Sequence, residues 1–207
     1  MEQRIQLTFG DLAAAAEPFS LLELWLAEAK ARELRDFDAA ALATVDSEGL
    51  PNVRMVLVRG IDARGFVFYT NTESTKGEEL NAHPKAALVF HWKSLGRQVR
   101  VRGPVEHATV AESDAYYGSR PRESQIGAWA SKQSRPLHSR AALEREAERI
   151  AETYQGAAVP RPPHWHGFRL VPLAIEFWKE GAHRLHDRLV FSRAAPGAQW
   201  RRELLYP

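Results

Sequence analysis

The sequence predicts a mainly β fold with interspersed helices, its strands closed into an antiparallel barrel. Short apolar runs of strand length recur with only turn-sized gaps between them, as an antiparallel meander requires. Closure is expected because so many short strands would otherwise leave exposed edges. The chain has 207 residues, 44% of them hydrophobic and 26% charged, which suits one sizeable core in an ordinary folded protein. We read residues 1–19 as a flexible N-terminal segment and 20–207 as a single domain.

Ser20 and Glu23 have capping-box spacing, and Leu22, Trp25, Leu26 and Ala29 recur at helical period, so an amphipathic helix is expected from Ser20. Strands follow at 41–45, 53–59 and 66–70, joined by turns at 46–49 and 62–65. A short helix over 74–81 precedes strands at 86–92 and 97–107. Thr109 with Glu112 opens another capped helix, which stops at Gly118. Over 139–155, Leu143, Ala147, Ile150, Ala151 and Tyr154 mark one helical face, ended by Gly156. Pro160, Pro162 and Pro163 enforce an extended linker, and closing strands are expected at 168–171, 174–179, 184–192 and 199–204.

Composition excludes several chemistries. With no Cys, the chain has no disulfides, thiolate nucleophile, iron–sulfur cluster or Cys-ligated zinc. Net charge is +2 with basic residues spread along the chain, which argues against a nucleic-acid partner. Glu2, Asp11 and the short 13–16 alanine run fit neither a signal peptide nor a membrane span, so a cytoplasmic location is the default expectation. There is no Gly-x-Gly-x-x-Gly, Walker loop or Gly-x-Ser-x-Gly elbow. No metal is expected: His164, His166, His183 and His186 have neither Cys nor a carboxylate at helix spacing beside them.

Three constellations remain. Ser74-Thr75-Lys76-Gly77 opens a helix directly after a strand, so backbone N–H groups and an ammonium converge as a phosphate cradle, with Arg54 as a second cation. The alternative is an ordinary capped helix with a solvent-facing Lys. The segment 116–125, with Tyr116, Arg120, Arg122 and Ser124, suits a phosphate monoester, unless Arg120 and Arg122 simply pair with Asp114 and Glu123. Arg184, His186 and Arg188 stand at alternate positions of an expected strand and so share one face, which meets an anion or an electron-rich ring or is merely a solvated face. Trp178 flanks that face if 180–183 is a tight turn.

These runs, with Arg54-Met55-Val56-Leu57-Val58, Phe68-Tyr69-Thr70-Asn71, Arg97-Gln98-Val99, Ser119-Arg120-Pro121-Arg122-Glu123-Ser124-Gln125-Ile126-Gly127-Ala128-Trp129, Ser131-Lys132-Gln133-Ser134 and Ile175-Glu176-Phe177-Trp178, occur in one order. Together they resemble the pyridoxamine/pyridoxine 5′-phosphate oxidase family over nearly the whole chain. The resemblance implies an FMN-binding split β-barrel, Greek-key-like with flanking helices, assembled as a homodimer with FMN at the subunit interface. It implies flavin contacts at Arg54, Met55, Val56, Leu57, Val58, Arg59, Tyr69, Thr70, Thr75, Lys76, Gln98, Gln133, Ser134, Trp178 and Arg188. The substrate phosphate would be held by Arg59, Tyr116, Arg120 and Ser124, with Arg184 and His186 as catalytic residues over the pyridine ring. The implied reaction moves a hydride from substrate C4′ to flavin N5, and dioxygen reoxidises the flavin to give hydrogen peroxide.

The chain departs from the family pattern in three places. Arg59 stands where Lys is usual and Thr75 where Arg is frequent, and residues 1–17 lack the basic and Tyr residues that fold over the substrate in some relatives. Two other readings stay open. One is a related split-barrel flavoprotein oxidising another ring, such as a phenazine precursor, and the other a non-catalytic FMN- or pyridoxal-phosphate-binding module.

Overall fold

Strands are the largest class of regular structure among the described residues, and their pairing closes on itself. The computed structural model describes residues 11–33 and 35–207. In chain order the strands are β1 (Ala39–Val45), β2 (Pro51–Asp62), β3 (Gly65–Asn71), β4 (Lys85–Trp92), β5 (Arg97–His107), β6 (Trp165–Leu170), β7 (Ala174–Lys179), β8 (Asp187–Ser192) and β9 (Arg201–Leu205). Six of them form a closed antiparallel barrel in the order β1-β2-β3-β6-β5-β4, with β4 returning to β1. The remaining three extend the sheet from β5 as a meander, β7-β8-β9. Strand β5 serves three neighbours: Arg97 to Arg102 face β7, Val105 to His107 face β6, and β4 runs along its other edge.

Among the described residues the helices are α1 (Asp11–Ala14), α2 (Pro18–Arg32), α3 (Thr75–Ala82), α4 (Val110–Gly118), α5 (Arg122–Ala130) and α6 (Arg140–Thr153). One continuous core is built from buried aromatic and aliphatic side chains, Phe66, Phe68, Phe90 and Phe168 from barrel strands and Phe177 and Phe191 from the β7–β8 extension. Helix α2 lays Leu21, Leu22, Trp25 and Ala29 against this core, and Trp25 meets Phe177 edge-on at 5.3 Å. Among the described residues no helix is long and apolar enough to cross a membrane.

Several expectations need correction. The capping box at Ser20 and Glu23 is not used: α2 starts two residues earlier, with Pro18 in its first turn and Glu17 as a cap without a side-chain bond. Proline's fixed φ preorganises a helix start and needs no N–H there, so it sets the boundary. Residues 1–10 of the expected N-terminal segment lie outside the described residues. The described part is packed, since Leu12 is fully buried, its carbonyl accepts from Arg202 at 3.0 Å, and Phe19 stacks on Phe66 at 6.2 Å. Helix α5 was not anticipated. Strand β8 starts at Asp187 rather than at Arg184: residues 182–184 form a tight 3-10 turn in which His183 and Arg184 have φ of 55° and 64°.

Candidate active site

The N-terminus of α3 meets the end of β3 at one side of a cleft. Ser74 caps the helix by accepting from the Gly77 amide. The Lys76 ammonium donates to Gln133 Oε1 at 2.6 Å and to the Thr70 and Ser74 hydroxyls at 3.3 Å, all neutral oxygens. Burial pulls its pKa down and the Arg54 charge adds to that, while Glu79 opposes. Lys76 is therefore a desolvated cation whose hydrogen bonds go to no carboxylate.

Arg54 has the opposite surroundings. Its Nη2 donates to Glu79 Oε2 at 3.1 Å, and its Nη1 reaches the Thr44 hydroxyl and the Leu42 carbonyl. Glu79, on α3 one turn beyond Lys76, also accepts from Thr44 and from Asn52 at 3.0 Å. Burial raises its pKa, but the bonds from Thr44 and Asn52 and the Arg54 charge outweigh that and hold the carboxyl below its ordinary value.

The other side of the cleft is aromatic. Tyr69 on β3 stacks on Tyr116 of α4 at 4.2 Å and on Trp165 of β6 at 5.3 Å, with 7° between the latter planes. The α4–α5 turn carries Arg120, whose guanidinium carbon lies 5.0 Å from the Trp165 ring centre and 5.9 Å from that of Tyr117. Arg120 Nη1 is buried without a hydrogen-bond partner, and burial lowers the pKa of the group. The turn is held rigidly: the Gln125 amide donates to the carbonyls of Tyr117 and Arg120, both at 3.1 Å, and the Tyr117 hydroxyl donates to Gln125 O at 2.9 Å. Burial pushes that hydroxyl up to about 12, so it stays a donor. Arg120 does not pair with Asp114, which is held by Arg161 at 2.5 Å, and Arg122 donates to the carbonyls of Tyr154 and Ala157.

A cleft of about 420 Å³ joins these two sides. It brings together Met55, Val56, Leu57, Arg59, Tyr69, Thr70, Lys76, Tyr116, Arg120, Ser124 and Gln133 of the expected site residues. Arg59 is held by Asp38 at 2.5 Å. Val58 points into the core, its amide donating to Asp38 O at 2.9 Å. Arg54, Thr75 and Ser134 do not line the cleft, and Ser134 has a left-handed φ of 71°. Asn71, Gly127, Ala128, Ser131 and Trp165 line it without having been anticipated.

The remaining expected residues form a second cluster that does not line this cleft. Gln98 on β5 faces Trp178 on β7, which faces Arg188 on β8. The Trp178 ring packs on His186 at 4.6 Å, and His186 Nδ1 accepts from the Gly181 amide at 3.2 Å. Arg188 donates through Nε to Glu176 at 2.9 Å and through Nη1 to Tyr206 O at 2.9 Å. Arg184, His186 and Arg188 thus do not share a strand face, because Arg184 belongs to the turn before β8. Gly181 closes that turn, since a Cβ there would stand 2.0 Å from Leu185 O.

Comparison with known proteins places this architecture. A family model described as pyridoxamine 5′-phosphate oxidase matches residues 26–154, more than half of the chain. The chain belongs to the pyridoxamine 5′-phosphate oxidase family. A second model of this family, the pyridoxine 5′-phosphate oxidase C-terminal dimerisation region, matches residues 165–207 and supports a homodimer. The chain is 61% identical over 207 residues to a pyridoxine/pyridoxamine 5′-phosphate oxidase of Azorhizobium caulinodans, covering 100% of this chain and 98% of that one. It is 60% identical over 202 residues to the protein of the same description from Nitrobacter winogradskyi, covering 98% and 95%. Among solved structures, PhzG from Burkholderia lata 383, in complex with tetrahydrophenazine-1-carboxylic acid, aligns with a TM-score of 0.89 at 34% identity, covering 98% and 99%. A pyridoxamine 5′-phosphate oxidase-related, FMN binding protein of Nostoc punctiforme shares the fold, with a TM-score of 0.75 at 17% identity over 93% and 100%. The family's dimerisation region contains Trp178, His186 and Arg188 of the cluster that does not line the cleft, and Gln98 lies outside it.

Proposed function

We propose that this chain is an FMN-dependent oxidase that converts pyridoxamine 5′-phosphate and pyridoxine 5′-phosphate to pyridoxal 5′-phosphate, working in the cytoplasm as a homodimer. One observation carries the reading: a single aromatic-walled cleft holds two desolvated cations, Lys76 and Arg120, whose contacts are neutral groups. A cofactor phosphate and a substrate phosphate would supply the missing charge at each. The residues fit FMN on these grounds, with Lys76 and the first amides of α3 at its phosphate and Thr70, Gln133 and the 55–57 stretch of β2 beside it. Arg54 acts toward that phosphate through the charge it adds beside Lys76, because both of its terminal nitrogens are engaged by its own chain.

Bound FMN would supply the redox chemistry, a two-electron acceptor for the hydride from substrate C4′, with dioxygen as the final oxidant and hydrogen peroxide as its product. The alcohol substrate and dioxygen give aldehyde and peroxide; the amine also consumes water and releases ammonia. The protein's part is to hold the substrate phosphate with Arg120, Tyr116, Ser124 and Arg59, and so fix the approach of C4′. Trp178, His186 and Arg188, with Arg184 in the adjoining turn, do not line the cleft of their own chain. In a homodimer the hairpin of one protomer would close the cleft of the other, setting Arg184 and His186 over the substrate ring. Arg120 also favours a phosphorylated substrate over a phenazine-type ring, which would leave its guanidinium buried and unpaired.

Aerobic incubation of the FMN-reconstituted protein with pyridoxine 5′-phosphate tests this. Aldehyde and peroxide should appear in equal amounts. Bound FMN with no aldehyde would overturn the oxidase reading in favour of a phenazine-type or non-catalytic one.

A further inference from the structure

Trp165 touches both aromatic walls of the site and its free cation. Its ring lies parallel to Tyr69, meets Tyr117 edge-on at 5.2 Å, and has the Arg120 guanidinium 5.0 Å from its centre. Its backbone is clamped: the amide donates to Pro162 O at 3.0 Å, and the carbonyl accepts from Arg161 Nη1 at 2.7 Å. Arg161 in turn holds Asp114 on α4, tying the start of β6 to the helix that leads into Arg120. Two residues along β6, Gly167 stands opposite Tyr69, where a Cβ would come within 2.8 Å of the Tyr69 ring and 2.7 Å of Ala108 Cβ. Only glycine there lets the Tyr69 ring lie down on β6 and complete the stack.

We infer that Trp165 is the positioning residue for Arg120, orienting its guanidinium for the substrate phosphate without neutralising it. The inference rests on the proposed function for the identity of that phosphate ester. A carboxylate in the place of Trp165 would also fix the guanidinium, but it would occupy the same N–H donors and compete with the incoming anion. An aromatic face holds the cation from the flat side and leaves the in-plane donors open. Arg120 Nη1, buried and without a partner, is such a donor. Among the described residues Arg120 forms no ion pair, which a simple structural arginine at this depth would need.

The test uses the FMN-loaded protein with Trp165→Leu and Trp165→Phe, each also in an Arg120→Ala background. Inorganic phosphate affinity is read by calorimetry, alongside KM and kcat for pyridoxine 5′-phosphate. Trp165→Leu should weaken phosphate binding and raise KM by about tenfold with kcat within about twofold, and Trp165→Phe should return both to within about threefold of the parent. In the Arg120→Ala background neither change should alter phosphate affinity further. Equal weakening in both backgrounds, or a fall in kcat with KM and phosphate affinity unchanged, overturns the inference. Should Trp165→Leu not fold, Trp165→Met in the same two backgrounds decides on the same criterion. Calorimetry needs no turnover, so a protein that couples Trp165 to Arg120 in phosphate binding yet oxidises nothing would sink the proposed function and not this inference.

Discussion

Two guanidiniums near the cleft, Arg54 and Arg120, are alike in being largely withdrawn from water and opposite in what surrounds them. Arg54 faces a buried carboxylate, a hydroxyl and a carbonyl, and its side chain is 19% exposed. Arg120 faces two aromatic rings and has an unbonded nitrogen. Burial alone therefore does not mark an arginine as functional; the charge balance of its neighbours does. A paired cation is part of the frame, and an unpaired one is a place kept for an anion. Arg169 is the extreme of the paired kind, 3% exposed and within 3.7 Å of carboxylates on Asp62, Glu106 and Glu112.

The contrast can be broken most directly at Glu79. Removing the partner of a buried pair leaves an uncompensated charge, so Glu79→Ala should lower unfolding stability by about 3 kcal/mol in a denaturant titration. Stability like the parent's would mean Arg54 is not framework. Arg120→Met should do the reverse: kcat/KM for the phosphate esters falls by about a hundredfold, while the melting temperature holds or rises, because an unpaired buried cation is exchanged for an apolar chain. A marked drop in melting temperature would move Arg120 into the framework class.

Smaller effects sharpen the same contrast. Glu112 accepts from the Thr109 amide, the largest cause, and from Arg169, and its carboxyl falls from an ordinary value near 4.5 to about 2. A carboxylate depressed on folding stabilises above its unfolded pKa, and the contribution disappears as pH falls through the folded one. The stability gap between parent and Glu112→Gln should be about 1 kcal/mol at pH 7, shrink below about pH 5, and vanish near pH 2. Chemical denaturation across that range measures it. Arg59→Lys should be the mildest change, raising or lowering KM by about two- to threefold with turnover retained, since a point charge replaces a fork-shaped donor. An unchanged KM would place Arg59 outside the substrate contacts.

Much of this frame was legible because it rests on local rules. Strand β5 and strand β7 begin and end where alternation and turn residues say they should, and the Thr109–Glu112 box forms with both of its bonds. The errors arose where a stronger local constraint lay beside the signal that was read. Pro18 set the start of α2 ahead of the Ser20–Glu23 spacing, and the tight turn closed at Gly181 took Arg184 out of a segment whose alternation mimics a strand. Helix α5 carries little helical signal in sequence, since Pro121 caps it without a side-chain bond and Ala130 alone of its nine residues is buried.

The site divides in the same way. Lys76 and Arg120 could be found from charge beside a helix end or a tyrosine, a short-range pattern. Trp165 and Gly167 could not, because their places beside Tyr69 come from the register of β6 against β3, with Tyr69 opposite Gly167 across almost a hundred residues of sequence. Nor could the partners that separate a framework cation from a free one. Glu79 reaches Arg54 from another element, and Asp38, just before β1, reaches Arg59 on the paired strand β2.

The turn before β8 bends two consecutive side-chain-bearing residues, His183 and Arg184, into the left-handed region that glycine occupies without strain. A random library at these two positions, sorted once for heat resistance and once for turnover, would give divergent answers. Heat sorting should drift toward glycine at both, relaxing the backbone. Turnover sorting should keep arginine at 184 despite its conformational discomfort. A divergence of the two selections at 184 would tie the strained backbone to the catalytic role proposed for Arg184.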